Sequence, residues 1–212
     1  MVLSRAVQRR ALIKAIVHLA AAAPLALMVS RTLWHPESLG ANPIATLIDN
    51  LGLWALRLLL VTLALTPLRI LTRSSAWLFY RRLLGLWAAL YALLHLLMYV
   101  LVDQRVDLRV LLEDVIKRPW ITVGFAAILI LLALTVTSTE AMRRRLRKNW
   151  QRLHNGVYVA AILGVWHYLW QVKKDLRPPL VYAVILVLLF AIRLWRRRFK
   201  ATSAPATAPG KT

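Results

Sequence analysis

Six long apolar runs divide this chain, and they constrain its fold more than any other feature. They lie at residues 12–30, 51–67, 83–102, 120–138, 153–170 and 179–195. Each run is close to the ~20 residues that cross a hydrocarbon core of ~30 Å. Lipid offers the backbone no hydrogen-bond partner, so each run is expected to be an α-helix. The sequence therefore predicts an all-α integral membrane protein, built as a six-helix transmembrane bundle.

Composition excludes several other classes of protein. Hydrophobic residues make up 60% of the chain, which does not suit a soluble domain. A net charge of +21 would suggest a nucleic-acid-binding protein in a polar chain, but here the basic residues lie in short clusters between the apolar runs. No nucleic acid partner is therefore expected. The chain has no cysteine, which excludes disulfides, thiolate metal sites and covalently attached c-type haem.

Lysine and arginine are distributed unevenly between the two sides of the predicted bundle. The N-terminus, the segments 68–82 and 139–152 and the C-terminal end carry 20 of the 29 basic residues. The other side carries nine basic residues and seven of the eight acidic ones. Because basic residues are enriched in cytoplasmic loops, both termini are expected to be cytoplasmic. Residues 1–200 are predicted to form the membrane domain, and residues 201–212, rich in Ala, Pro and Thr, a disordered tail.

One outer loop, residues 103–119, has the pattern of an interfacial helix. Its apolar residues fall on one helical face, Asp107 is placed to cap the first turn, and Pro119 lies beyond the end. Such a helix either closes the bundle at its surface or forms a docking platform for an external partner, and the first interpretation is favoured. No internal repeat is evident along the chain.

Two histidines are expected to meet inside the bundle. The third and fifth runs cross the membrane in the same direction, which places His95 and His167 ~18 and ~21 Å from the cytoplasmic ends of their helices. An imidazole is costly in hydrocarbon, and axial ligation of haem iron is a common use of such residues. Each histidine alone fits equally well a side chain that hydrogen-bonds a neighbouring helix. Two histidines at matched depth favour a pair of haem ligands.

A second polar level is expected near the cytoplasmic face. His154 lies ~20 Å from His167 along the helix axis, which is the spacing of a second, stacked cofactor. The two side chains are ~140° apart around a straight helix, so they share a face only if the helix bends. At the same depth the third run carries Arg81 and Arg82, which are poor iron ligands but good partners for carboxylates or phosphates. This level is therefore expected to hold a second haem, haem propionates, a flavin phosphate or lipid headgroups.

Two further polar residues lie inside apolar runs. His18, in the first helix, is assigned to the cytoplasmic polar level, although it fits a hydrogen-bonded core histidine better than a ligand. Arg57 lies about two turns inside the outer end of the second helix, where a charge must find a partner or extend to the interface. Extension to the interface is the favoured interpretation, and pairing with a haem propionate is the alternative.

Several segments together resemble the MsrQ family, also called YedZ. They are residues 81–87 followed by His95, and residues 117–124, 137–143, 150–158 and 167–170. Members of this family are haem-binding membrane subunits of a bacterial periplasmic protein-methionine-sulfoxide reductase system, within the ferric-reductase-like transmembrane group. The resemblance covers nearly all of the chain except its last dozen residues. It implies a multi-pass protein of the bacterial inner membrane, with haem b and FMN as cofactors.

The resemblance also implies roles for particular residues and partners. His95 and His167 are similar to the family's main haem ligands, His154 to its third functional histidine, and Arg81 and Arg82 stand where related oxidases have a fourth. Electrons would pass from the quinone pool or a cytosolic flavin reductase to the periplasmic molybdenum subunit, MsrP, which reduces oxidised methionines. The membrane subunit itself would carry out no sulfoxide chemistry and has no expected catalytic residue.

Two other classes of function remain open. A ferric-reductase-like or other transmembrane cytochrome b would serve a different electron acceptor. A self-contained reductase or oxidase would need an FAD and NADPH domain, and no G-x-G-x-x-G motif after a strand exists here. A haem-free scaffold or transporter would explain the spans but would leave His95 and His167 without a role.

Overall fold

The structure, a computed structural model, describes residues 5–172 and 174–202, and within them all regular structure is helical. The α-helices are α1 (Arg5–Trp34), α2 (Pro43–Thr72), α3 (Arg81–Leu97), α4 (Leu108–Lys117), α5 (Pro119–Val136), α6 (Glu140–Leu146), α7 (Lys148–His154), α8 (Gly156–Gln171) and α9 (Arg177–Thr202). Short 3₁₀ helices occupy Pro36–Leu39 and Ser75–Tyr80, and a π-helical segment, Met98–Asp103, continues α3. The predicted tail begins inside α9, and residues 203–212 lie outside the described part of the chain.

Within residues 5–172 and 174–202, five helices are long and apolar enough to cross a membrane. They cover Val7–Trp34, Pro43–Thr72, Ser75–Asp103, Pro119–Val136 and Arg177–Arg196. The run predicted at 153–170 forms α8, which has 16 residues. At ~1.5 Å per residue, α8 is ~24 Å long and falls short of a ~30 Å core by itself. The protein is thus an all-helical membrane protein, and the six-span count stays a prediction.

Helix ends follow from local sequence signals. The Asn42 side chain accepts a hydrogen bond from the backbone of Ala45, and Pro43 occupies the first turn of α2, where its missing N–H is not needed. The Asp107 carboxylate accepts two backbone N–H groups at the start of α4, which confirms the predicted cap. Pro119 begins α5 directly after α4 ends, because proline is tolerated at the first position of a helix but not in its interior.

The core consists of two closely packed helix pairs. α2 packs along α3, α5 packs along α8, and contacts between the two pairs are much sparser. α1 lies against the first pair, and α9 lies against α2 and α8. The Tyr91 hydroxyl joins α3 to α1 by accepting from the backbone N–H of Leu25 and donating to the carbonyl of Ala21. The two hydrogen bonds of Tyr91 lie next to Pro24, where α1 loses one of its own backbone hydrogen bonds.

The apolar face predicted for α4 points away from the bundle. Leu108, Leu112 and Ile116 are all exposed. The buried residue of α4 is instead Asp114, which accepts a hydrogen bond from the Tyr99 hydroxyl and pairs with Arg118. A polar contact therefore joins α4 to the bundle, and its apolar residues remain exposed.

Candidate functional site

His95 in α3 and His167 in α8 face each other across the gap between the two helix pairs. Their ring centres are 6.2 Å apart, and the ring planes are inclined by 78°. The structure thus brings together the two histidines that the sequence places at matched depth. Both side chains are only partly exposed, and each is supported from behind by a different helix.

A backbone carbonyl fixes each of these rings. Nδ1 of His95 lies 2.9 Å from the carbonyl oxygen of Ile48 in α2, and Nδ1 of His167 lies 2.7 Å from that of Trp120 in α5. A carbonyl oxygen can only accept, so Nδ1 carries the proton in both rings and Nε2 presents its lone pair. Metal-ligating histidines characteristically donate such a second hydrogen bond, which sets the tautomer and raises the basicity of the ligating nitrogen.

A glycine lies directly behind each ring. A Cβ atom added at Gly52 would meet Nδ1 of His95 at 3.0 Å, and one added at Gly124 would meet Nδ1 of His167 at 2.7 Å. Each glycine stands four residues after the carbonyl that its histidine bonds, so a side chain there would block the ring from reaching that oxygen. These two glycines are therefore part of the site, although the sequence analysis did not identify them.

The histidine pair fits the axial ligation of a haem iron. An imidazole nitrogen binds a first-row metal at ~2 Å and lies ~1.1 Å from the ring centre, so two imidazoles on one iron have ring centres ~6 Å apart. The observed 6.2 Å agrees with this spacing. Rings inclined to each other can both contain the axis through the iron, so the 78° inclination is also compatible. The donor set of two neutral imidazoles suits a b-type haem, which needs no cysteine.

The two halves of the site repeat one another along the sequence. His167 follows His95 by 72 residues, and Gly124 follows Gly52 by the same interval. Each histidine also bonds the carbonyl of a residue 47 positions before it. Small buried residues match in the same register: Ala88 with Ala160, and Ala89 with Ala161. The expectation of no internal repeat is therefore wrong, and the shared glycine-to-histidine interval was the available signal.

His154 lies apart from the paired histidines. α7 ends at His154 and α8 begins at Gly156, and Asn155 between them keeps helical dihedral angles. Nε2 of His154 is 3.2 Å from the Thr137 hydroxyl, and its ring stacks on Trp150 with centres 3.9 Å apart. No group of three or more His, Cys, Asp or Glu side chains within residues 5–172 and 174–202 could hold a metal ion.

The other residues assigned to the cytoplasmic level are not all brought together. Arg81 begins α3 close enough to His154 for their charges to interact. Arg82 is exposed and occupies the position that corresponds to His154 in the 72-residue repeat. His18 lies on α1, as expected, and its Nδ1 accepts a hydrogen bond from the indole of Trp87 in α3 at 3.0 Å. This contact is the kind expected of a histidine that holds two helices together.

Arg57 is held by aromatic residues. Its Nε donates to the Tyr182 hydroxyl at 2.9 Å, and its guanidinium lies 4.8 Å from the centre of the Trp54 ring. Tyr182 in turn packs edge-on against Tyr168, the neighbour of His167. The charge is therefore accommodated by a hydrogen bond and a cation–π contact between α2 and α9.

The fold and the paired histidines define a class of protein. Residues 51–165, which include His95 and nearly all of the path to His167, match the family model described as the ferric reductase like transmembrane component. The description as a transmembrane component agrees with the long apolar helices of this chain.

Comparison with known proteins narrows the class to one family. The chain is 45% identical to a protein of Xanthomonas axonopodis pv. citri (strain 306) over 92% of both chains, and 46% identical to one of Xanthomonas campestris pv. campestris (strain 8004) over 92% of both. It is 41% identical to a protein of Herminiimonas arsenicoxydans over 95% of this chain and 94% of that one. Each of these relatives is named protein-methionine-sulfoxide reductase heme-binding subunit MsrQ. The chain belongs to the MsrQ family.

Proposed function

We propose that this protein is a membrane electron-transfer subunit that binds haem b through His95 and His167. The observation that carries the proposal is the pair of facing imidazoles, whose ring centres are 6.2 Å apart and whose Nδ1 atoms are both bonded to carbonyls. The names of the relatives, which describe heme-binding subunits, support the same cofactor. When bound, the haem would supply a one-electron redox centre within the membrane.

The residues around the histidines prepare them for this role. The carbonyls of Ile48 and Trp120 hold the Nδ1 protons, which leaves the Nε2 atom of each neutral ring free to bind a metal. Gly52 and Gly124 let each ring approach its carbonyl closely. The surrounding apolar helices exclude water, which favours binding of a large, flat and mostly apolar cofactor.

A direction of electron flow is part of the same proposal. Electrons would come from the quinone pool or a cytosolic flavin reductase, and would leave for a periplasmic molybdenum-containing methionine-sulfoxide reductase, MsrP, which repairs oxidised periplasmic proteins. Arg81, Arg82 and His154 would form the receiving level, with FMN as a second cofactor whose phosphate suits the two arginines. The chain itself would carry out no sulfoxide chemistry.

The membrane arrangement belongs to the same proposal. The protein would cross the bacterial inner membrane six times, with α8 as the fifth span and both termini in the cytoplasm. The 20 to 9 division of basic residues supports this orientation. Reporter fusions after Arg198 and within residues 68–82 should be active in the cytoplasm, and fusions at Asp107 and Lys174 in the periplasm. The opposite pattern would reverse the proposed electron path.

The function is tested with purified protein in two steps. A reduced-minus-oxidised visible spectrum with haem quantification should give a b-type signal and a whole-number haem-to-protein ratio. Quinol or reduced flavin should then reduce this haem, and MsrP with methionine sulfoxide should reoxidise it. A b-type spectrum with no reoxidation by MsrP would favour the second candidate, a ferric-reductase-like cytochrome with a different acceptor, which the match at residues 51–165 supports. Protein without haem would refute both candidates.

A further inference from the structure

A basic cavity of about 650 Å³ lies at the end of the bundle opposite the paired histidines. Along α2, Arg69 stands 17 residues after Gly52, which is ~25 Å of helix. Among the residues that the structure describes, four arginines line the cavity together with apolar and hydroxyl-bearing residues, and no carboxylate does; the arginines are Arg69, Arg73, Arg193 and Arg196. The cavity shares no lining residue with the His95 and His167 site or with the His154 level.

Two of the four arginines are fixed by the protein. The guanidinium of Arg193 donates to the Tyr158 hydroxyl and to the carbonyl of Leu63, and it lies 4.9 Å from the centre of the Tyr158 ring. Arg196, one turn further along α9, donates to the carbonyl of Ile70 at 3.4 Å. These contacts hold guanidinium groups at the boundary between α2, α8 and α9. Arg193 is therefore fixed by helix packing, Arg196 is held by one backbone contact, and the exposed side chains of Arg69 and Arg73 complete the basic lining.

Four guanidinium groups that line one cavity favour an anionic ligand there. Guanidinium groups bind phosphate oxygens through paired, charge-assisted hydrogen bonds, and basic pockets between membrane helices bind phosphate headgroups in this way. The volume exceeds what a bare phosphate needs and is within the range of small-molecule sites. The side chains of Ile70 and Tyr158 provide an apolar and aromatic wall for the rest of such a molecule.

We propose that this cavity is a binding site for a phosphate group attached to a larger organic molecule. Two sources of that chemistry are available at a membrane surface: the headgroup of an anionic phospholipid and a water-soluble phosphoester. Both would place the phosphate among the four arginines and the remainder against Ile70 and Tyr158. The site goes beyond the electron-transfer role, and its occupancy is measurable whether or not haem is bound.

The test compares two double variants with the same change of charge. Arg69→Gln with Arg196→Gln removes two cavity charges and leaves Arg193, which supports the packing of α9. Arg144→Gln with Arg145→Gln removes two exposed charges from α6, outside the cavity, and serves as the control. If the first variant fails to fold, Arg69→Gln with Arg73→Gln replaces it, since both residues are exposed.

Two measurements distinguish the sources of the phosphate. The first measurement is native mass spectrometry of protein from nanodiscs with equal phosphatidylglycerol and phosphatidylcholine, which reports the retained lipid. The second adds inorganic pyrophosphate to protein in neutral detergent and reports its binding through the thermal unfolding midpoint. We expect the cavity variant to lower either phosphatidylglycerol retention or pyrophosphate affinity by about tenfold or more, because charge-assisted hydrogen bonds are lost. The control variant should stay within about twofold of the unaltered protein in both measurements. Loss of phosphatidylglycerol retention assigns the site to a lipid headgroup, and loss of the pyrophosphate effect alone assigns it to a soluble phosphate compound. If the cavity variant matches the control in both measurements, the proposal is wrong.

Discussion

Replacing Gly124 by alanine tests whether the close approach behind His167 is needed for the cofactor. The added Cβ would lie 2.7 Å from Nδ1, 2.9 Å from Cε1 and 3.1 Å from Cγ of the ring. Ordinary contacts of this kind begin at 3.4 Å, so the nearest atom would be 0.7 Å too close. Rotation of the ring about its Cβ–Cγ bond leaves Cγ crowded at 3.1 Å and turns Nδ1 away from the Trp120 carbonyl. The ring must move away, and its hydrogen bond to the Trp120 carbonyl must lengthen.

The expected loss of haem affinity is largest for Gly124→Ala, smaller for Gly52→Ala and absent for Gly85→Ala. Loss of such a supporting contact costs metal ligands about 10- to 100-fold in affinity, or about 1.4 to 2.7 kcal/mol, and this is the loss of haem affinity predicted for Gly124→Ala. Gly52→Ala, whose Cβ meets His95 at 3.0 Å, should lose less, about 3- to 10-fold. Gly85→Ala is the control, because its Cβ meets only Thr62, at 3.7 Å. All three changes favour the helix itself by up to about 1 kcal/mol, so weaker haem binding would not reflect a weaker helix.

The assay is haem titration of the purified apoproteins, followed by the b-type absorbance band, with thermal unfolding of the apoproteins measured in parallel. The expected order of haem affinity is Gly85→Ala, then Gly52→Ala, then Gly124→Ala, with apoprotein stability unchanged or raised in Gly85→Ala, whose added Cβ meets no close contact. If Gly124→Ala binds haem as tightly as Gly85→Ala, the crowded ring is not an iron ligand and the assignment of the site is refuted.

Three further predictions concern the charged and imidazole side chains. His95→Ala and His167→Ala should each abolish most bound haem, because the iron loses one of its two axial bonds, and a full and spectrally unchanged haem content in either variant would contradict the ligand assignment. Arg81→Ala combined with Arg82→Ala should slow reduction of the haem by quinol or reduced flavin about tenfold or more, because an anionic cofactor group loses its partners. Most haem should stay bound. Unchanged reduction rates would exclude these arginines from electron delivery. His154→Ala should impair the same reduction step more than it lowers total haem, and loss of haem as complete as in His167→Ala would make His154 an axial ligand of a second haem.

The sequence by itself determined the class of protein and the shared membrane depth predicted for His95 and His167. Apolar runs of membrane length leave only helices as a solution, because unpaired backbone groups are too costly in lipid. The side-chain signals at helix ends, such as Asp107 before α4, act within one turn and so need no knowledge of the fold. His95 and His167 were predictable as partners because depth in a membrane is counted along the chain.

Only the tertiary structure decided how the helices are rotated toward one another. A helix that is apolar on all sides carries little periodic signal for the face that packs, so its partners cannot be read from the pattern alone. The contacts of Arg57 with Tyr182 and of His18 with Trp87 depend on that rotation and were not foreseen. The same is true of the two carbonyls that hold the imidazoles, because a backbone acceptor has no side-chain signature. The cavity of four arginines likewise arises only when the ends of α2 and α9 meet, since these segments are more than a hundred residues apart in the chain.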